Sequence, residues 1–164
     1  MKIIRIILLI AVCLGSVNME AQKMRRGGRV AGKHIRNKVV AKKVIRRTAL
    51  VLIRAHKLTK ENKNYTGKLA MAVRHQRYAR ILYRKGNFAR AIHQSRLSRR
   101  LAFLAIQANK GTVAKDEQLG ADDNSDDKTN PTDAELEKEL PADTVTDQEL
   151  INSELSDIDL DDND

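Results

Sequence analysis

The sequence has little of what builds a large or covalently braced core. Its 164 residues include one cysteine, no tryptophan and two prolines, and only 3% are aromatic. Any core must therefore be small and aliphatic. The same figures argue against a transmembrane bundle, a disulfide scaffold and a multi-domain enzyme. One domain is the count expected at this length.

Acidic residues are almost absent from the middle of the chain. Residues 22–115 carry 27 Lys and Arg but a single carboxylate, Glu61, for a net charge of +26. Residues 116–164 carry 19 Asp and Glu against two Lys, for a net charge of −17. A strongly basic body is thus joined to a strongly acidic tail, which indicates electrostatic partners rather than a particular fold.

The amino-terminal apolar run is too short to span a membrane. Lys2 and Arg5 precede apolar residues 6–14, an order typical of a secretory signal peptide over residues 1–21. We expect cleavage at Ala21–Gln22, or as an alternative before Ser16, and export to the periplasm or the medium. A retained membrane anchor and an ordinary apolar helix are the other interpretations. The mature chain would contain no cysteine.

A glycine-containing basic arm is predicted over residues 22–34, either as a polyanion clamp or as a solvated spacer.

A basic helical body is predicted over residues 35–111. Apolar residues recur there at helical spacing over residues 35–58, 68–85 and 88–108, separated by polar or glycine-containing turns. The sequence therefore predicts an all-α fold, a small bundle of about three amphipathic helices that includes a helical hairpin.

The polar faces of the first two predicted helices are cationic. Such faces can bind polyanions, although a basic amphipathic helix can also lie on a membrane surface. The candidate polyanion-binding residues are Lys38, Lys42, Arg46, Arg47, Arg74, Arg77, Arg80 and Arg84.

One turn resembles a tetratricopeptide repeat. Residues 83–92 follow the pattern Tyr-x-x-Gly-x-aromatic-x-x-Ala-Ile. Within residues 75–103 the chain departs from that family at His75, Ser95 and Phe103, and no second copy follows. The resemblance implies a hairpin of two antiparallel helices, packed through Tyr83, Gly86, Phe88, Ala91 and Ile92.

The acidic tail, residues 112–164, has a composition that predicts a largely disordered segment. Two capping-box patterns, beginning at Thr132 and Thr146, predict short helices near residues 132–140 and 146–156. These are interpreted either as docking segments for a basic surface or as part of a solubilising tail. Acidic residues from Asp122 to Asp133 partly follow calcium-loop spacing, but the turn glycine is missing, so no cofactor is predicted.

The residue pattern does not favour catalysis. The body offers one carboxylate and four scattered histidines, with no metal-ligand spacing and no nucleophile motif.

The sequence predicts a non-enzymatic binding or assembly protein of the cell envelope, whose cationic helices engage an acidic protein or an anionic surface. The tail would modulate that binding, also by contacting the body. The alternative is a nucleic-acid-binding protein with an autoinhibitory tail.

Overall fold

A computed structural model describes residues 34–113, 130–142 and 145–160. Three predicted features lie outside the described residues: the signal peptide, the basic arm up to residue 33, and most of the acidic residues that partly follow calcium-loop spacing. The described chain contains three long helices and two short ones, and no strand. They are α1 (residues 34–62), α2 (Lys68–Arg84), α3 (Phe88–Ala108), α4 (Asp133–Lys138) and α5 (Asp147–Leu150). The predicted all-α fold is confirmed.

The compact unit begins at Lys38 and includes the rest of the described chain. Its long helices bury the apolar lines read from the sequence. One cluster forms where Leu52, Val73 and Ala102 meet from α1, α2 and α3, and a second forms around Ile45, Ala79 and Ala91. Alanines at many of these contacts allow the helices to pack closely, so a core with few aromatic side chains is sufficient.

The hairpin turn between α2 and α3 is closed by a Schellman motif. The N–H of Asn87 donates to the carbonyl of Leu82, and the N–H of Gly86 donates to that of Tyr83. Gly86 has a φ of 77°, the left-handed conformation that glycine adopts at the lowest cost. The rings of Tyr83 and Phe88 then meet with centroids 5.2 Å apart.

Two lysines close the other long helices in the same left-handed conformation. Lys63 follows α1 with a φ of 55°, and Lys110 follows α3 with a φ of 57°. After Lys110, Gly111 lies so close to α1 that an added Cβ would stand 2.4 Å from Leu58 Cδ1. Asn109 fastens this end, since its side-chain amide donates to the Thr59 hydroxyl at 3.2 Å.

The described tail completes the core of the bundle. Both predicted capping boxes are present, at Thr132 and Thr146, and they begin α4 and α5. The tail residues that enter the core are Leu136, Leu150, Ile151, Ile158 and Leu160, each at most 8% exposed. The apolar side chains spaced along an otherwise acidic tail therefore have a structural role.

One side of α1 stays open in the described structure. Residues 49–53 are all apolar, and Leu50 is 62% exposed and Ile53 is 53% exposed. No described helix has the length and apolarity needed to cross a membrane.

Candidate functional site

Asp147 joins the tail to the start of α2. Its Oδ2 accepts a hydrogen bond from the Gly67 N–H at 2.6 Å, and its Oδ1 accepts one from the Ala70 N–H at 2.7 Å. Gly67 is the N-cap of α2 and has no side chain to cap the helix. Asp147, only 3% exposed, therefore satisfies two amide groups that a local capping box would otherwise serve.

Gln76 connects the three long helices with the tail. Its amide nitrogen donates to the carbonyl of Ile45 in α1 and to that of Ile158 in the tail, both at 2.9 Å. Its amide oxygen accepts from the Ser95 hydroxyl at 2.9 Å, and Ser95 in turn lies 3.0 Å from the Thr48 hydroxyl. The Gln76, Ser95 and Thr48 side chains are fully buried, so this network fixes the register of the packed elements.

Gln94 makes a second connection, between the helical hairpin and α4. Its amide nitrogen donates to the Leu136 carbonyl at 2.9 Å and to Glu139 Oε2 at 3.0 Å. Its oxygen is therefore the acceptor facing His75 Nδ1 at 2.6 Å, which places the histidine proton on Nδ1. His75 Nε2 is buried and has no partner among the described residues. Burial lowers the pKa of His75 because it removes the water that would stabilise the charged ring.

Carboxylates of the tail pair with arginines of the bundle. Arg77 Nε lies 2.7 Å from Asp157 Oδ2, and Arg90 Nε donates to Glu139 Oε1 at 2.8 Å. The hydrogen bond with Arg90 holds the pKa of Glu139 below its ordinary value, and the same contact raises the pKa of Arg90. Arg100 in α3 pairs with Asp133, although that pair is more exposed.

Backbone carbonyls of the tail bind two further arginines. Arg74 Nη2 donates to the Pro141 carbonyl at 3.0 Å, and Arg80 Nη1 donates to the Asp157 carbonyl. Three of the four candidate residues on α2 thus contact the tail. The fourth, Arg84, is exposed at the end of α2.

The candidate residues on α1 differ in their exposure to solvent. The Lys38 Nζ lies 5.8 Å from the centre of the Tyr83 ring, and Lys38 and Arg47 are exposed. Lys42 and Arg46 are half-buried. Of the hairpin residues, Ala91 is fully buried and Tyr83, Phe88 and Ile92 are at most 8% exposed. Gly86 forms the turn.

Several residues that hold the tail were not identified from the sequence. Gln94, His56 and Asp147 all bind across long sequence separations, and His56 Nε2 donates to the Leu150 carbonyl at 3.0 Å. The available signal was weak: polar side chains occupy otherwise apolar helical lines, as Gln76 does in α2. A partner 42 to 94 residues away leaves no periodic pattern.

The described residues contain no group of three His, Cys, Asp or Glu side chains that could hold a metal ion. At this site, carboxylates and carbonyls of the tail are held by amide groups and guanidinium groups of the bundle. Comparison with protein-family models, with curated proteins and with solved structures finds no match to this chain.

Proposed function

We propose that this chain is an exported, non-enzymatic binding or assembly protein of the cell envelope. Its cationic helices engage an acidic protein or an anionic envelope surface, and its acidic tail limits that binding. The observation that carries the proposal is the seating of tail acids on arginines of α2 and α3, through Arg77–Asp157 and Arg90–Glu139. Export rests on the signal-like order of residues 1–21.

The division of the basic surface supports a modulating tail. The tail contacts Arg74, Arg77 and Arg80 on α2, whereas Lys38, Lys43 and Arg47 on α1 are exposed. A basic surface near an anionic membrane gains about 1 kcal/mol per Lys or Arg. The α1 cations therefore supply the first contact with an anionic surface. The cations whose binding the tail limits are Arg74, Arg77, Arg80, Arg90 and Arg100, which it contacts.

Two charge-matched variants of the full chain test this surface. The first changes the α1 candidates Lys38, Lys42, Arg46 and Arg47 to Gln; the control changes four exposed lysines outside α1, Lys63, Lys85, Lys110 and Lys138, to Gln. Binding to vesicles with and without anionic lipid is measured for both. We expect the first variant to lose more than about tenfold relative to the control. Equal losses would show that net charge alone acts and would contradict the proposal.

Fractionation of cells separates this proposal from the nucleic-acid alternative. Recovery from the envelope, with Gln22 or Ser16 as the first residue, supports an exported protein. Recovery from the cytoplasm with an intact amino terminus would contradict export. Tighter binding to duplex DNA than to anionic vesicles at equal salt would then favour the alternative.

A further inference from the structure

The tail contains the same five-residue pattern twice. Residues 132–136 and 146–150 both read Thr-Asp-x-Glu-Leu, where x is Ala in the first and Gln in the second. In each copy the Thr side chain accepts from the Glu backbone N–H, and the Glu side chain accepts from the Thr backbone N–H. The two copies therefore adopt the same capped helical turn.

The leucine of each copy is recognised in the same way. Leu136 and Leu150 are each 2% exposed. The carbonyl of each leucine accepts a hydrogen bond from a bundle side chain, from Gln94 at 2.9 Å for Leu136 and from His56 at 3.0 Å for Leu150. Each site thus combines an apolar pocket with one hydrogen-bond donor, which binds the carbonyl of the last residue of the pattern.

The aspartate of each copy also contacts the bundle. Asp147 accepts from the amide groups of Gly67 and Ala70 at the start of α2, whereas Asp133 pairs with Arg100. The Asp147 contact is buried and the Asp133 contact is exposed, so the aspartate of the first copy is held less firmly. The first site is therefore the one that an external segment can enter more readily.

We propose that the bundle carries two receptor sites for Thr-Asp-x-Glu-Leu segments, and that its partner is an acidic protein presenting such a segment. The inference rests on the proposed binding function and names the chemistry of the partner. The seated tail copies show what the sites accept: a capped turn, an acid in its second position and a leucine in its fifth. Because the tail is covalently attached, it competes at high effective concentration, and a partner must present its segment at high local concentration or in several copies.

A labelled peptide tests recognition at the first site. The peptide has the sequence of residues 130–142, and a control peptide exchanges the positions of Thr132 and Ala134, which keeps composition and charge but removes the side-chain acceptor at the N-cap. The protein is the full chain carrying Leu136→Ser, which empties the first site. If a melting curve shows that this variant does not fold, the full chain with Thr132→Val and Asp133→Asn replaces it, since both positions are exposed.

We expect the peptide to bind the folded variant at least about tenfold more tightly than the control peptide does. Equal binding of both peptides would overturn the inference, because only charge would then be recognised, and would leave the proposed function standing. Absence of peptide binding would also overturn the inference. Vesicle binding by the same protein preparation is measured alongside, because it tests the proposed function independently. If the wild-type chain dimerises and the peptide dissociates the dimer, the segment that enters the site comes from a second copy of this chain. That result would overturn the proposal of a separate partner protein.

Discussion

The carboxylate of Asp147 accepts a hydrogen bond at 2.6 Å from the backbone N–H of Gly67, a residue 80 positions earlier in the chain. A residue of the acidic tail thereby caps a helix of the basic body. The helix has no acidic residue in its first turn, and its N-cap residue makes no side-chain cap hydrogen bond. Its positive end therefore depends on the tail for compensation.

The Asp147 contact should be the most sensitive polar point of the tail. Asp147→Asn keeps the shape but removes the charge and one acceptor, so it should lower the free energy of unfolding by about 1–3 kcal/mol. Asp133→Asn is the matched control, because that ion pair is exposed and should contribute less than about 1 kcal/mol. Urea unfolding measures both. Equal effects would mean that the cap on α2 has no special weight.

The left-handed residues at the helix ends predict substitutions of opposite sign. Gly86→Ala should destabilise by about 1–2 kcal/mol through backbone strain alone, since no atom lies within 4 Å of the added Cβ. Lys110→Gly should stabilise by up to about 1 kcal/mol, because Lys110 occupies the same conformation with a Cβ. Thermal melts of the two variants check the pair. A destabilised Lys110→Gly would contradict the description of this helix end.

Acidification should weaken the fold through two histidines, the buried His75 and the half-buried His93. Burial lowers the pKa of His75 and of His93 below 6.5, so the unfolded chain binds more protons near that pH. Their contribution is complete above about pH 7.5 and is lost as the pH falls below 6.5, until the folded pKa values are passed. Glu139, with its lowered pKa, adds a further loss below about pH 4.5.

Urea midpoints measured from pH 8 to pH 5 test this dependence. His75→Asn keeps a donor toward Gln94 and removes the titrating ring, so its midpoint should change less with pH than that of the parent. An unchanged slope would contradict the role assigned to His75.

Salt should leave the tail docked. Exposed ion pairs contribute about 0.2–1 kcal/mol each and are screened, whereas burying a leucine or isoleucine contributes about 1.5–3 kcal/mol. Hydrogen exchange at residues 132–136 and 146–150 should therefore stay protected when salt rises from about 0.05 to 0.5 M. Leu150→Ser should reduce the protection of the second segment at both salt concentrations. Loss of protection by salt alone in the parent would show that charge holds the tail.

The helical periodicity of the sequence predicted the three long helices well. Leu69, Ala72, Gln76 and Ala79 recur at helical spacing, and all four are buried in α2 as expected. Local signals also sufficed for Gly86, whose left-handed turn follows from a glycine between two apolar lines. These features depend on residues near one another in the chain, so they can be recognised from the sequence pattern.

The attachment of the tail was harder to predict. Its composition indicates disorder because acids outnumber apolar residues, yet Leu136, Leu150 and Ile158 enter the core. Their burial depends on the bundle already presenting Gln94, His56 and the open end of α2. The composition of the tail shows that it has few apolar residues. It gives no information about a surface elsewhere in the chain to which those residues can bind.

The central claim is that specific tail acids cover specific arginines of the body. Full chains carrying Asp133→Asn, Glu139→Gln and Asp157→Asn release Arg100, Arg90 and Arg77 from those carboxylates while leaving the apolar anchors in place. The matched control carries Glu137→Gln, Glu154→Gln and Asp159→Asn, which remove the same charge at exposed positions without an arginine ion pair in the described structure.

Binding isotherms of both chains on anionic vesicles across a salt series test the claim most directly. The first variant should bind at least about fivefold more tightly than the control at about 0.05 M salt, because more cations face the surface. Its affinity should also fall more steeply with salt. Superimposable isotherms for the two chains would contradict the account, since the positions of the acids would then be irrelevant.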